Sequence, residues 1–415
     1  MKSVIAKQCG TENAALPLDG AFHQNAMADL KNYGSHDRIQ SYEVSSSHVA
    51  VTWYDGHLSY FHHGWLRENC PSPTSRHPTS MERLIHPLSI PVTIQPLSVS
   101  LDSHGALAII WPTANQQSTD AGHRSLYTPG WLRAHCYTLS PEPGNALATP
   151  ISRGRAPLRG DWQSLMDNEE HFFKWLSNMD EMGWSVVSGV PNEDGACIKF
   201  GQKIGVIRSS NFGFSFDVRS KPNPNSNAYT SYYLPLHTDM PHYELPPGFQ
   251  LLHCRINSAS GGESLLSDGL NVAIKLKESH PDAYNILCSE TIPYRFQDAD
   301  SDYTARHPLI ECDHHKIPRY INWSNSTSAP LDVPPSRMEK MREAIRLFVA
   351  QLEHPDHLIT IKLQPGEMLA FNNRRILHGR NGFDTSSGDR FFQGCYLDSS
   401  ELKSRIAVLA RTCKQ

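Results

Sequence analysis

Leu234-Pro235-Leu236-His237-Thr238-Asp239 reads as a short strand ending at a turn. Residues i and i+2 of a strand share a face, so His237 and Asp239 project together while Thr238 points away. An imidazole and a carboxylate side by side are two corners of a 2-His-1-carboxylate triad. Such a triad occupies one face of an Fe(II) octahedron and leaves the opposite face open. The third corner must come from a distant strand. His378 is the candidate, in Asn372-Asn373-Arg374-Arg375-Ile376-Leu377-His378-Gly379-Arg380. This stretch follows an apolar strand, Met368–Phe371, which is preceded by the turn Pro365-Gly366-Glu367. A zinc-dependent hydrolase is the competing reading, because two histidines and a carboxylate also serve catalytic Zn²⁺.

Arg390 favours iron. It lies in Gly388-Asp389-Arg390-Phe391-Phe392, entering a strand. An inward-facing arginine there is costly without a partner. A 2-oxo acid that chelates iron needs a cation for its far carboxylate, and a bidentate guanidinium supplies one. The competing role is a salt bridge to Asp389 or Asp398. Ser264, in Gly261-Gly262-Glu263-Ser264, is placed to donate its hydroxyl to the same carboxylate.

Around these residues the chain is mostly short strands, expected at Phe249–Ile256, Ser264–Asp268, Thr291–Phe296, Pro318–Ile321, Leu358–Lys362, Met368–Asn372 and Phe391–Leu397. Helices are expected over Leu270–His280, Val333–Gln351 and Ser400–Thr412. Upstream, Asp161 to Met182 reads as one helix, Trp184–Val190 as a buried strand and Gly195–Gly205 as a short helix. Many short strands with helical decoration predict a double-sheet jelly-roll core.

The N-terminal part predicts a small β-rich domain with strands at Ser47–Tyr54, Leu58–Phe61, Ile90–Leu97 and Ala106–Trp111. It contains a partial repeat. Gly56-His57, Gly64-Trp65-Leu66-Arg67 and Cys70 match Gly122-His123, Gly130-Trp131-Leu132-Arg133 and Cys136. Two metal half-sites is one reading of it. Two similar strand-to-helix corners packing their tryptophans is the favoured one. The expected organisation is a loosely ordered extension over 1–40, the β-rich domain over 41–138, a linker over 139–160 and the catalytic domain over 161–415.

With 38 basic and 42 acidic residues the net charge is -4. That offers no basic field for nucleic acid and no polybasic patch for a membrane. No stretch reaches the ~20 apolar residues of a membrane span. The nine cysteines are scattered and odd in number, and the first residues lack an apolar signal region. A reducing, cytoplasmic setting is expected.

The motifs HTD-x-P, PPG-x-Q-L-L-H-C, GGES and DG, then L-H-G-R and R-F-x-x-G-x-Y-x-D, resemble the γ-butyrobetaine and trimethyllysine dioxygenase branch of the Fe(II)/2-oxoglutarate-dependent dioxygenases. The resemblance runs from about Val51 to the C-terminal helix. It implies a double-stranded β-helix with iron on His237, Asp239 and His378, 2-oxoglutarate on Arg390, and a homodimer. It also implies hydroxylation of an unactivated C–H using O₂, release of succinate and CO₂, and ascorbate as activator. A carboxylate at position 239, where related halogenases have a small residue, points to hydroxylation.

The resemblance further implies an aromatic cage for a trimethylammonium group, falling on Phe212, Phe216, Tyr229 and Tyr396. Two of these are Phe where Tyr and Trp are expected. The asparagine that reads the substrate carboxylate aligns near Ser226, flanked by Asn225 and Asn227; Asn322, Ser324 and Asn325 form the other candidate polar wall. The family's N-terminal zinc cluster is reduced to Cys70 and His123, with Ser72 and Ser75 in place of cysteines, so no structural zinc is expected. The expected substrate is a small quaternary-ammonium metabolite, γ-butyrobetaine-like. The alternatives are a trimethylammonium phosphonate, trimethyllysine or a natural-product intermediate, and, from another class, a non-catalytic metabolite-binding protein.

Overall fold

The computed structural model describes residues 37–80, 82–112, 122–138, 156–220 and 226–413. Most of the expected extension and linker, and Asn225, lie outside them. The chain divides into two compact units, Met1–Glu142 and Pro143–Gln415.

The first unit repeats one motif. Strands Ile39–Val44, His48–Trp53 and Leu58–His62 form an antiparallel sheet leading into the helix His63–Glu68. Strands Ser98–Leu101, Leu107–Trp111 and His123–Tyr127 form a second, leading into the helix Pro129–Ala134. Equivalent atoms make equivalent bonds: Trp53 Nε1 donates to Ser59 Oγ and Trp111 Nε1 to Ser125 Oγ, both at 2.8 Å. The two corner tryptophans, Trp65 and Trp131, meet with ring centroids 5.5 Å apart. Each repeat's cysteine also faces the other's histidine, Cys70 to His123 at 3.1 Å and Cys136 to His57 at 3.8 Å. Ser72 and Ser75 bring hydroxyls within 3.3 and 3.4 Å of the same His123 nitrogen. Burial would raise the Cys70 thiol, but His123 and the serines outweigh it and bring it down to about 6.

Two local expectations fail here. No strand forms over Ile90–Leu97, where Pro91 and Pro96 remove backbone donors; the strand runs over Ser98–Leu101, just after Leu97 N–H donates to the Ile110 carbonyl at 2.7 Å. The strand Ile39–Val44 was not expected, because along it only Ile39 is buried and it shows no clear alternation.

The second unit is a double-stranded β-helix. Its large sheet runs in the order Phe216–Arg219, Arg390–Leu397, Phe249–Asn257, Met368–Asn372, Trp184–Ser188, Gly160–Asp161. Its small sheet runs Leu234–His237, Ile376–Arg380, Ser264–Asp268, Ile359–Ile361. Phe371 and Phe392 of the first sheet join Leu266 and Ile376 of the second in one buried cluster, so the sheets pack face to face. Alternate residues face outward. Met368 and Ala370 meet the helices Glu169–Met182, Ala196–Ile204 and Ser399–Thr412, while Leu369 and Phe371 face the inner cluster. Covered on both faces, this strand reads as an unbroken apolar run. Leu265 and Leu377 of the small sheet likewise meet the helices Gly269–Ser279, Pro281–Ser289 and Pro335–Leu352.

The helix expected from Asp161 to Met182 is two. Asp161 caps the first through Ser164 N at 3.0 Å; Asn168 leaves helical geometry and caps the second through His171 N at 3.0 Å. The hairpin partner Asp302–Pro308 and the helix Pro281–Ser289 were not expected, the latter restarting at Pro281 directly after its predecessor.

An ion pair locks the small sheet. Arg375, 2% exposed, donates from Nη2 to Asp268, 5% exposed, at 2.8 Å, and from Nη1 to the Glu181 carbonyl at 2.7 Å. Asp268 also caps the next helix through Leu270 N. Removing one member leaves a buried charge alone, so Asp268→Ala is expected to cost about 3–5 kcal/mol in denaturant unfolding. A loss under about 1 kcal/mol would show that the pair contributes little beyond a surface bridge.

Candidate active site

Pairing between the first two strands of the small sheet sets His237 directly opposite His378. Their ring centroids stand 4.4 Å apart. Two residues along, Arg380 pairs with both Leu234 and Ser264, which places it on the same face as His378. Gly379 lies between them under the neighbouring strand. A Cβ there would sit 2.6 Å from the Leu234 carbonyl oxygen, so the L-H-G-R sequence needs its glycine for strand pairing.

Asp239 lies just past its strand end and is held by its backbone. Its N–H donates to Asn373 Oδ1 at 2.7 Å, and Asn373 Nδ2 donates back to its carbonyl at 3.0 Å. Met240, next in the chain, sits buried at φ +60°, a strained conformation for a non-glycine residue. The Tyr396 hydroxyl donates to Asp239 Oδ2 at 2.7 Å.

The three side chains fit a metal. His237 Nδ1 donates to the Pro235 carbonyl at 2.8 Å, leaving the Nε2 lone pair free, 3.2 Å from Asp239 Oδ1. His378 Nε2 lies 3.6 Å from Asp239 Oδ2, and one ligand atom from each residue falls within 4.8 Å of the others. Cis ligands with bonds of about 2.1 Å stand about 3 Å apart, so little movement is needed. Burial pushes the His378 imidazole down to about 3, which keeps it an unprotonated donor. Burial would raise the Asp239 carboxyl, but the two imidazoles and Tyr396 outweigh it and hold it below the ordinary carboxylate range. Burial would lower the His237 imidazole, but Asp239 beside it outweighs this and raises it, so a metal binding here would displace a proton from His237.

Arg390 is 7% exposed, stacks on Phe392 with its guanidinium carbon 4.0 Å from the ring centroid, and has an unpartnered Nε. The two acids next to it in sequence are engaged elsewhere, Asp389 with Arg219 and Asp398 with Arg208. Burial, with Arg380 nearby, pushes its guanidinium down to about 9. A buried cation with no ion-pair partner among the described residues suits an anionic ligand. Ser264 is buried and lines the same cavity.

That cavity, about 140 Å³, is walled by the triad, Ser264, Arg390, Phe212, Phe216, Tyr229, Tyr396, Ser226 and Asn227. Phe216 stacks on Tyr396 at 4.8 Å, over Gly394, where any Cβ would strike the Phe216 ring. Phe212 meets Phe296 edge-on at 5.8 Å. Asn325 is not brought to the cavity. It is exposed and lines a separate groove with Pro235, Leu236 and Ile345. Along its loop Ser324 and Ser326 face in, and Asn325, between them, faces out. Asn322 is also elsewhere, donating to the Pro308 carbonyl at 3.1 Å. Sequence reasoning missed Arg380, Gln250, His242, Phe296 and Thr327 in the cavity wall. Only Arg380, as the last residue of L-H-G-R, carried a signal.

Residues 147–396 match the model of the taurine catabolism dioxygenase TauD, TfdA family, and residues 41–133 match that of the gamma-butyrobetaine hydroxylase-like N-terminal domain. A gamma-butyrobetaine dioxygenase from Pseudomonas sp. (strain AK-1) is 39% identical over 93% of this chain and 100% of its own length. The human gamma-butyrobetaine dioxygenase is 30% identical over 87% of this chain and 94% of its own. A trimethyllysine dioxygenase from Meyerozyma guilliermondii is 26% identical over 87% and 93%.

Proposed function

That the chain belongs to the taurine catabolism dioxygenase TauD, TfdA family is the premise from which we propose its substrate and the roles of its residues. It is an Fe(II)- and 2-oxoglutarate-dependent dioxygenase. Its substrate is a small quaternary-ammonium metabolite, with γ-butyrobetaine the first candidate, a reading supported by the gamma-butyrobetaine dioxygenases among its relatives. The observation that carries it is one cavity holding the His237–Asp239–His378 cluster, an anion-seeking Arg390 and the rings of Phe212, Phe216, Tyr229 and Tyr396.

When bound, iron and 2-oxoglutarate supply the O₂ chemistry that converts an unactivated C–H to C–OH, releasing succinate and CO₂. His237, Asp239 and His378 hold the metal. The Pro235 carbonyl fixes the His237 tautomer, and the Tyr396 hydroxyl holds the outer oxygen of Asp239 in place. Arg390 and Ser264 take the far carboxylate of 2-oxoglutarate. Phe212, Phe216, Tyr229 and Tyr396 receive the trimethylammonium group on ring faces, each desolvated contact worth up to ~2 kcal/mol, and keep bulk water out. Phe rings in two of the four positions make this cage weaker than one built from Tyr and Trp. Ser226 and Asn227 face the substrate from the cavity rim. The scatter and odd number of the cysteines support a cytoplasmic setting, and among the described residues no helix is long and apolar enough to cross a membrane. A homodimer rests on the family resemblance alone.

The test is succinate release from 2-oxoglutarate with Fe(II), ascorbate and O₂ across γ-butyrobetaine, trimethyllysine and trimethylaminoethylphosphonate. Strong stimulation by one member is expected. Slow turnover that none of them stimulates would remove the cage assignment and leave the dioxygenase.

A further inference from the structure

Two thiols lie close together outside the cavity. Cys288, in the helix Pro281–Ser289, and Cys312, at the end of the strand Ile310–Cys312, place their sulphurs 3.3 Å apart. Both are free and only partly buried, so a small solute reaches them. The Tyr284 hydroxyl, one helical turn before Cys288, stands 3.4 Å from the Cys312 sulphur and donates to the Lys316 carbonyl at 3.1 Å. The Lys277 ammonium lies over the Tyr284 ring, 5.4 Å from its centroid. The hydrogen bond between the two thiols lowers Cys312 to about 7, with Tyr284 and Lys277 adding to it against burial. The same bond raises Cys288.

Other cysteines contrast with this pair. Cys197 and Cys395 are both 0% exposed, and Cys395 gives its S–H to the Cys197 carbonyl at 3.6 Å. Cys70 is also 0% exposed and faces an imidazole, not a second thiol. Thiolate character and exposure together decide which cysteine a peroxide oxidises, and a second thiol at hand turns the product into a disulfide. To bond, the two sulphurs must close by about 1.3 Å, a distance that rotation of the two side chains spans. We infer that Cys288 and Cys312 form a reversible oxidation site, which a hydroperoxide closes to a disulfide tying the helix Pro281–Ser289 to the strand Ile310–Cys312. The Cys312 thiolate attacks one oxygen of H₂O₂. The S–O bond forms, the O–O bond breaks, and hydroxide leaves to take up a proton as water. The Cys288 sulphur then attacks the sulfenic sulphur. The S–S bond forms, the S–O bond breaks, and a second water leaves with the Cys288 proton. Two thiols lose two electrons and the peroxide gains them. A dithiol reverses the step by exchange. In a reducing compartment a disulfide is transient, which suits a site that responds to oxidant and not a permanent staple. Both cysteines pack against the apolar cluster that holds Leu265 and Leu377 of the small sheet, so the bond braces the layer behind the iron site.

The test is thiol mapping in the full chain, freed of iron by EDTA so that no iron–peroxide chemistry intervenes. The protein is exposed to a slight excess of H₂O₂, its remaining thiols are alkylated, and the digested peptides are weighed. One cross-linked product joining the Cys288 and Cys312 peptides of a single chain is expected, and dithiothreitol is expected to return both thiols. Cys288→Ser is expected to stop the cross-link and leave on Cys312 a sulfenic acid that dimedone traps. Cys312→Ser is expected to slow oxidation at Cys288 by about tenfold or more, because the thiolate is the nucleophile. Unaltered protein whose Cys288 and Cys312 both stay alkylatable after other thiols have oxidised overturns the inference. So does a cross-link from either one to a different cysteine, or one that forms only in denaturant. This mapping decides the matter even where a variant fails to fold. Because the bond ties two elements of one packed cluster, the oxidised protein is expected to melt about 2 °C or more above the reduced one. An equal or lower melting temperature would show that the bond distorts the helix and strand, and overturns the bracing.

Discussion

His237→Ala is expected to abolish iron binding and with it all succinate release. The triad is three ligands with no spare, since His237, Asp239 and His378 form the one cluster of metal-ligating side chains found among the described residues. Changes in groups that merely support a metal ligand typically cost 10–100-fold in affinity. Loss of a ligand therefore predicts more than about a hundredfold, read by titrating Fe(II) or Co(II) into the apoprotein and following the metal's absorption. The fold is expected to survive, because His237 sits at a strand end beside the cavity and not in either apolar cluster of the sheets. A variant that binds metal as wild type does would move the iron away from the HTD sequence.

Arg390→Ala is expected to leave iron in place and to raise the demand for 2-oxoglutarate. Truncating one partner of a buried, hydrogen-bonded charge pair costs about 2–5 kcal/mol, which is roughly thirty- to several-thousandfold in apparent affinity. Arg390→Lys restores the charge without the planar fork and should recover only part of it. The diagnostic is a split: the KM for 2-oxoglutarate climbs while the Fe(II) titration does not change. Normal turnover at low 2-oxoglutarate would remove the carboxylate assignment and leave Arg390 as a structural cation stacked on Phe392.

What could be read in advance follows the range of the forces involved. The i, i+2 geometry of His237 and Asp239 is local, and so is the apolar run Met368–Phe371. The break in the helix expected from Asp161 to Met182 was not legible, because asparagine between two helical stretches is common and only the extended backbone at Asn168 decides the matter. Asn325 failed for the opposite reason. Its identity suits a carboxylate, yet the alternation of its loop turns Ser324 and Ser326 inward and sends it outside.

By itself the sequence determined the two-unit, mainly β organisation, the ligand types of the metal site and the family chemistry, since hydrophobic periodicity, turn residues and side-chain donors are properties of the chain. Only the tertiary structure decided that His237 faces His378 across a ladder, that Asp389 and Asp398 are taken by other arginines, and that His242 and Thr327 line the same cavity as the triad. Each of these depends on register between strands far apart in sequence. Register is set by the whole packed core, where sliding a strand by one residue would turn every side chain to the other face, and no local window carries that information.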